Sequence, residues 1–117
     1  MMEQSQLICD KVIGLDSTIR TVIVVTDNGR PLASRVRGGL VPMMDEKDGE
    51  VVLTEAALIT RMYRDFDTKL GKVRHIVIER EKIAILIFSL GQDVLYVSCD
   101  LGSTLYAVVK KIEKKIS

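Results

Sequence analysis

The chain is short of the residues from which most active sites are built. Among its 117 residues there is one histidine, His75, and there are two cysteines, Cys9 and Cys99. With no CxxC pair and a single imidazole, a zinc site lacks ligands. Each cysteine has apolar neighbours and reads as a reduced core thiol, with a disulfide or a redox pair as the other reading. Aromatic residues are scarce as well. Two Phe and three Tyr, scattered over core-like positions, supply no stacking platform for nucleic acid.

An excess of either charge is also missing. Seventeen Lys and Arg stand against sixteen Asp and Glu, a net charge of +1, so no overall field draws the chain to nucleic acid or to an acidic membrane. The longest uninterrupted apolar run, Ile83 to Phe88, falls far short of the roughly 20 residues that cross a bilayer. Met1 to Gln6 lack the basic start and the apolar segment of a signal peptide. These absences lead us to expect a cytoplasmic protein with neither nucleic acid nor membrane insertion in its function.

Catalytic and phosphate-binding patterns are incomplete. Cys99 with His75 is the only conceivable thiol and imidazole pair, and both are ordinary residues for strands. Gly38-Gly39 runs into Leu40-Val41-Pro42 and has neither the lysine nor the helix start of a nucleotide loop. No catalytic residue, metal ligand or cofactor is assigned.

What the sequence does contain is an ordinary globular balance, 47% hydrophobic and 28% charged, over a length that suits one domain, residues 1 to 117. Leu7, Ile8, Val12 and Leu15 recur at helical spacing, which predicts a first helix over roughly Gln4 to Ile13, stopped by Gly14. Ile19 to Thr26 is rich in β-branched residues and apolar at both parities, so it reads as a strand covered on both faces. Asp27-Asn28-Gly29 supplies a tight turn, and the chain returns along Leu32 to Val36. Pro31 cannot donate to a ladder and places that second strand at an edge.

From Gly38 to Glu50 the pattern reads as a loop, unusually apolar at Val41, Met43 and Met44. Leu53, Ala57, Ile59, Met62, Tyr63, Phe66 and Leu70 trace a long helix that ends at Gly71. Arg74 to Arg80, Ile83 to Ser89 and Val94 to Cys99 form three strands whose links are too short for crossovers, hence an antiparallel meander. Gly102 and Ser103 begin a last helix with Leu105, Val108, Val109, Ile112 and Ile116 as its apolar stripe. The order helix, strand, strand, helix, strand, strand, strand, helix predicts an α+β sandwich around a five-stranded, mainly antiparallel sheet.

This order, and the segment TVIVVTDNGRPLAS with its apolar strand, Asp-x-Gly turn and small residue before Ser, resembles the roadblock/dynein light chain family, whose fold is related to profilin and longin domains. A further likeness is to small archaeal proteins. It rests on Ile19-Arg20, Glu55-Ala56-Ala57-Leu58, Arg61-Met62, Phe66-Asp67, Leu70-Gly71 and Arg80-Glu81-Lys82, and it brings no activity with it.

The family resemblance implies a homodimer or heterodimer in which sheets join edge to edge and central helices pack together. It also implies a scaffold or regulator, with a small GTPase or a regulatory assembly as candidate partner. Mapped onto this chain, the dimer interface comprises Leu58, Met62 and Tyr63 on the central helix and His75, Ile76, Val77 and Ile78 on the strand that opens the meander.

Two further features are candidate partner surface. Arg20, Arg30, Arg35 and Arg37 crowd the first hairpin against Asp27 alone, four minus one or +3, and Arg35 and Arg37 share one face by strand alternation. A solvated edge guarded against aggregation explains these arginines equally well. Val41, Met43 and Met44 offer apolar surface beside them. The functional expectation is a non-catalytic interaction module; the alternative is a small-molecule sensor that uses the pocket between sheet and helices, with Val41 to Met44 as a lid.

Overall fold

The Asp27-Asn28-Gly29 turn forms where the sequence predicts it, with Gly29 at a φ of 86°. In the computed structural model, which describes residues 2–102 and 105–117, this turn joins strands β1 (Ile19–Val25) and β2 (Pro31–Val36). Helix α1 (Met2–Ile13) precedes them, and α2 (Glu46–Arg64) with the single turn α3 (Asp67–Leu70) follows. Strands β3 (Ile76–Glu79), β4 (Ala84–Leu90) and β5 (Asp93–Cys99) form the meander, and α4 (Leu105–Ile116) ends the fold. Ser103, placed at the start of the last helix by the sequence, lies outside the described residues.

All four strand pairings are antiparallel, in the order β2-β1-β5-β4-β3. Pro31 sits in an edge strand, as its missing donor requires. The two apolar parities of β1 reflect cover on both faces. Val22 and Val24 join Leu86, Phe88, Leu95 and Val97 beneath Cys9 and Val12 of α1 and Val108, Val109 and Ile112 of α4. Val25 joins Ile85, Ile87, Val94 and Tyr96 beneath Leu53 and Ala56 of α2. Burial of such side chains, about 1.5–3 kcal/mol for each Val, Leu, Ile or Phe, is the main force holding three helices to one sheet. Cys9 and Cys99 are both free thiols inside this core, which sets aside the disulfide reading.

The structure departs from the sequence expectation at the central helix. Residues 46–50, expected in a loop, are its first turn and more. Asp45 caps it by accepting the Asp48 N–H at 2.8 Å, and Glu46 and Asp48 lie in the first turn, where the helix dipole favours carboxylates. The helix also ends early, at Arg64, and the chain resumes as α3 until Gly71, at φ 84°, stops it. Phe66 and Leu70 therefore leave the expected stripe and are exposed.

The strand before the meander's first turn is shorter than expected, Ile76–Glu79 rather than Arg74 to Arg80. Its ladder nevertheless runs one residue further, since the Arg80 N–H donates to the Ile83 carbonyl at 2.9 Å.

Candidate interaction surface

Helix α2 rests on the sheet through small side chains. Its buried residues are Leu53, Ala56, Ala57 and Thr60, and the Thr60 hydroxyl is satisfied by the Ala56 carbonyl at 2.8 Å. At 100° per residue these four fall on one side, while Val51, Leu58 and Met62 fall on the opposite one. Leu58 is 48% exposed, Met62 60% and Tyr63 55%. Of the residues that trace this helix in the sequence, Leu53 and Ala57 are buried, whereas Met62 and Tyr63, expected at a dimer face together with Leu58, are exposed. The larger apolar groups of this helix are thus left for something other than the sheet.

Tyr63, on the flank of the helix, lines a cavity together with Ile76 of β3, which is an edge strand. Among the described residues, one flank of β3 pairs with β4 and the other with no strand. The Arg80 to Ile83 bond fixes the alternation of the antiparallel ladder: Ile78 and Ile76 direct their backbone groups inward to β4, whereas Val77 and Glu79 direct theirs outward. The side chains of Ile76 and Ile78 turn towards the α2 face, where they pack at the margin of its core. Val77 alternates to the other face and is exposed.

His75 stands at the head of that edge, but its ring is turned towards α4. Its Nδ1 lies 3.2 Å from the Glu113 carboxylate, and its ring is tilted against Phe88 at 6.3 Å between centroids. The hydrogen bond to His75 is the main reason that the Glu113 carboxyl sits below its ordinary range. The histidine is thereby kept apart from Cys99. Register pairs Ile76 with Ile87 and Ile87 with Tyr96, whereas Cys99 pairs with Ala84, so the two groups lie towards opposite ends of the meander and two strands apart. Cys99 is fully buried, and burial, followed by the nearby carboxylates of Asp16 and Asp100, pushes its thiol up to about 12. A thiol held neutral in this way is a poor nucleophile.

The arginine-rich hairpin is less free than its local sequence implies. Arg35 binds the Asp10 carboxylate of α1 at 2.9 Å. Arg20, nearly buried, holds Asp100 at 3.0 Å and the Val41 carbonyl at 3.2 Å. Arg37 takes the other Asp100 oxygen at 2.9 Å and the Ser17 carbonyl at 2.8 Å. The Asp10 carboxyl is held below its ordinary range by its bond to Gln6 and then by Arg35; that of Asp100 is held down by Arg37 and then Arg20. Counting Asp10 and Asp100 with Asp27, four arginines face three carboxylates, and the expected +3 falls to +1. The carboxylates that neutralise the hairpin come from segments remote in sequence, which local charge counting misses. Val41, Met43 and Met44 remain exposed on the loop that Arg20 anchors.

The sequence matches no protein-family model, and no curated protein matches it. Solved structures do share its fold. A roadblock/LC7 domain from Streptomyces avermitilis superposes with a TM-score of 0.70 at 11% identity, covering 95% of this chain and 92% of its own. The gliding protein MglB from Thermus thermophilus gives 0.76 at 14% identity, covering 98% and 84%. An MglB with a tetrameric arrangement gives 0.77 at 16% identity, covering 98% and 83%. These comparisons lend no support to the archaeal likeness of the central helix and the Arg80-Glu81-Lys82 turn. The agreement across almost the whole chain, with helices on both faces of the β2-β1-β5-β4-β3 sheet, shows that this protein has the roadblock/LC7 fold, of the profilin-like α+β class.

Proposed function

We propose that the chain is a non-catalytic, self-associating interaction module of the cytoplasm. The observation that carries this reading is the coexistence of Leu58 and Met62, exposed on the outer side of α2, and Tyr63, exposed on its flank beside Ile76, with an edge of β3 that pairs with no strand among the described residues. An open edge beside an apolar helix face is a liability in an isolated chain, and a second copy related by a two-fold axis covers both at once. A two-fold axis at Val77 lays the outward backbone groups of Val77 and Glu79 against the same strand of the other copy and brings the two α2 helices together. The oligomer named in the tetrameric MglB structure fits this reading.

The further partner we propose is another protein, with a small GTPase as the candidate that the roadblock resemblance offers. Exposed Val41, Met43 and Met44 are its docking surface, while Arg35 and Arg37 frame that surface from within their ion pairs. Light scattering on the wild type and on Leu58→Asp/Met62→Asp tests the core of the proposal. The wild type is expected to be a dimer at tens of micromolar and the variant a folded monomer. A wild type that is monomeric at that concentration overturns self-association. Titration of small GTPases in their GDP and GTP states, with Met43→Ser/Met44→Ser as control, tests the partner.

A further inference from the structure

A cavity of about 480 Å³ opens on the α2 side of the sheet, where the end of α2, the segment leading into β3 and the β4–β5 turn meet. Its polar wall is unusually rich in idle donors. Among the described residues, the side chains of Tyr63, Lys72, Ser89 and Gln92, all lining this space, make no hydrogen bond or ion pair. Arg64 spends one terminal nitrogen on the Gly91 and Gln92 carbonyls, at 3.2 and 3.5 Å, and its other guanidinium nitrogens have no partner there.

Against the two cations stands one carboxylate, Asp67, so the lining carries two minus one, or +1, and the His75 ring is turned away to Glu113. The floor is apolar, formed by Ile76 and Ile87. Unpaired cationic and neutral donors, a positive balance and an apolar floor favour a small molecule with an anionic, acceptor-rich head and a flat apolar body. The volume lies within the range of small-ligand sites, roughly 300–1,000 Å³.

We infer that this cavity binds a small organic phosphate of up to nucleotide size, its phosphate held by Arg64 and Lys72 and its ring lying on Ile76 and Ile87 beside Tyr63. Lys72 acts as a point charge and Arg64 as a planar donor, and the Ser89 hydroxyl and Gln92 amide supply neutral donors. The site is built within one chain and does not depend on self-association. Tyr63, His75 and Ile76 belong to the proposed dimer face as well, so ligand and second copy meet at these residues, while Arg64 and Lys72 lie outside that set.

The test is titration calorimetry of the full chain with phenyl phosphate, adenosine monophosphate, benzoate and inorganic phosphate, beside light scattering of the same samples. Phenyl phosphate or the nucleotide is expected to bind at millimolar concentration or tighter, and inorganic phosphate, which has no apolar body, about tenfold more weakly. Lys72→Gln, at an exposed position, is expected to leave the fold intact, to weaken binding about tenfold and to flatten its salt dependence. Benzoate binding as tightly as phenyl phosphate would overturn the choice of phosphate. Absence of binding by either organic phosphate, or binding that Lys72→Gln and Arg64→Gln both leave unchanged, would overturn the site. Binding to a protein that scatters light as a monomer would uphold the site while removing the proposed dimer.

Discussion

Gly29 lies so close to the backbone of Thr54 that a methyl group on its Cα would sit 2.7 Å from the Thr54 Cα and 3.0 Å from its nitrogen. The β1–β2 turn is therefore a docking point for α2 as well as a reversal of the chain. Gly29→Ala meets two costs, a φ of 86° and a clash with backbone that no rotamer change relieves. We expect a loss of roughly 2–4 kcal/mol in urea denaturation. Gly39→Ala is the control, because it shares the positive φ, 74°, but meets nothing within 4 Å, and it should cost only about 1 kcal/mol. Equal losses at the two glycines would show that α2 does not depend on this contact.

Asp16 ties the start of β1 to α4. Its carboxylate accepts the N–H and hydroxyl of Thr18 at 3.0 and 2.7 Å and the Lys111 ammonium at 3.0 Å. The Thr18 N–H, then the Thr18 hydroxyl, then Lys111 hold its carboxyl at about 2, below the ordinary 3.8. Since the folded value lies below the unfolded one, the stabilisation is complete above about pH 4 and is lost as pH falls towards 2. Lys111 is half exposed, so screening leaves an expected contribution of about 1–2 kcal/mol. Asp16→Asn should be less stable at pH 7 and show a shallower decline between pH 4 and pH 2 in urea melts. Asp10, Asp100 and Glu113 are depressed too, so part of the slope survives. An unchanged slope would mean that Asp16 is equally acidic in the unfolded chain.

Strand number, hairpin and meander were legible because alternation, β-branched runs and glycine turns are local signals. Gly29 announced a turn, but nothing local reveals that Thr54 lies against it. The start of α2 was hidden because Glu46-Lys47-Asp48 carry no apolar period, and Asp45 is recognisable as a cap only once the helix behind it is known. The inward face of α2 was only partly legible for a physical reason. Alanine and threonine give little hydrophobic signal, yet Ala56, Ala57 and Thr60 are what allow this helix to lie close to the sheet. The larger Leu58 and Met62 dominate the pattern while facing outward, and Tyr63 is exposed on the flank. The ion pairs of Arg20, Arg35 and Arg37 and the donors around Arg64 and Lys72 join residues far apart in sequence and leave no periodic trace.

The loop after β2 should separate surface chemistry from stability. Met43 and Met44 are exposed, so replacing both by Ser is expected to change stability by no more than about 0.5 kcal/mol. Arg20→Met is expected to cost about 2–3 kcal/mol, because it strips Asp100 of one partner and leaves the Val41 carbonyl without its donor. Thermal melts distinguish the two. A large loss from the methionine changes would show that the loop folds down as core in solution.

The proposed dimer edge is most exposed to a test by proline. Proline removes one N–H and is tolerated only where that N–H points away from the ladder. At Ile78 the N–H points inward to β4, so Ile78→Pro should break the β3–β4 pairing and cost roughly 3 kcal/mol, visible by circular dichroism. At Val77 it points outward, and Val77→Pro should leave the fold largely intact while denying a second β3 strand its hydrogen bond. Light scattering should then find a folded monomer for Val77→Pro where the wild type is a dimer. If the Val77 and Ile78 variants both remained folded dimers, the free edge of β3 would not be the subunit boundary, and the outward side chains of α2 would have to carry self-association without it.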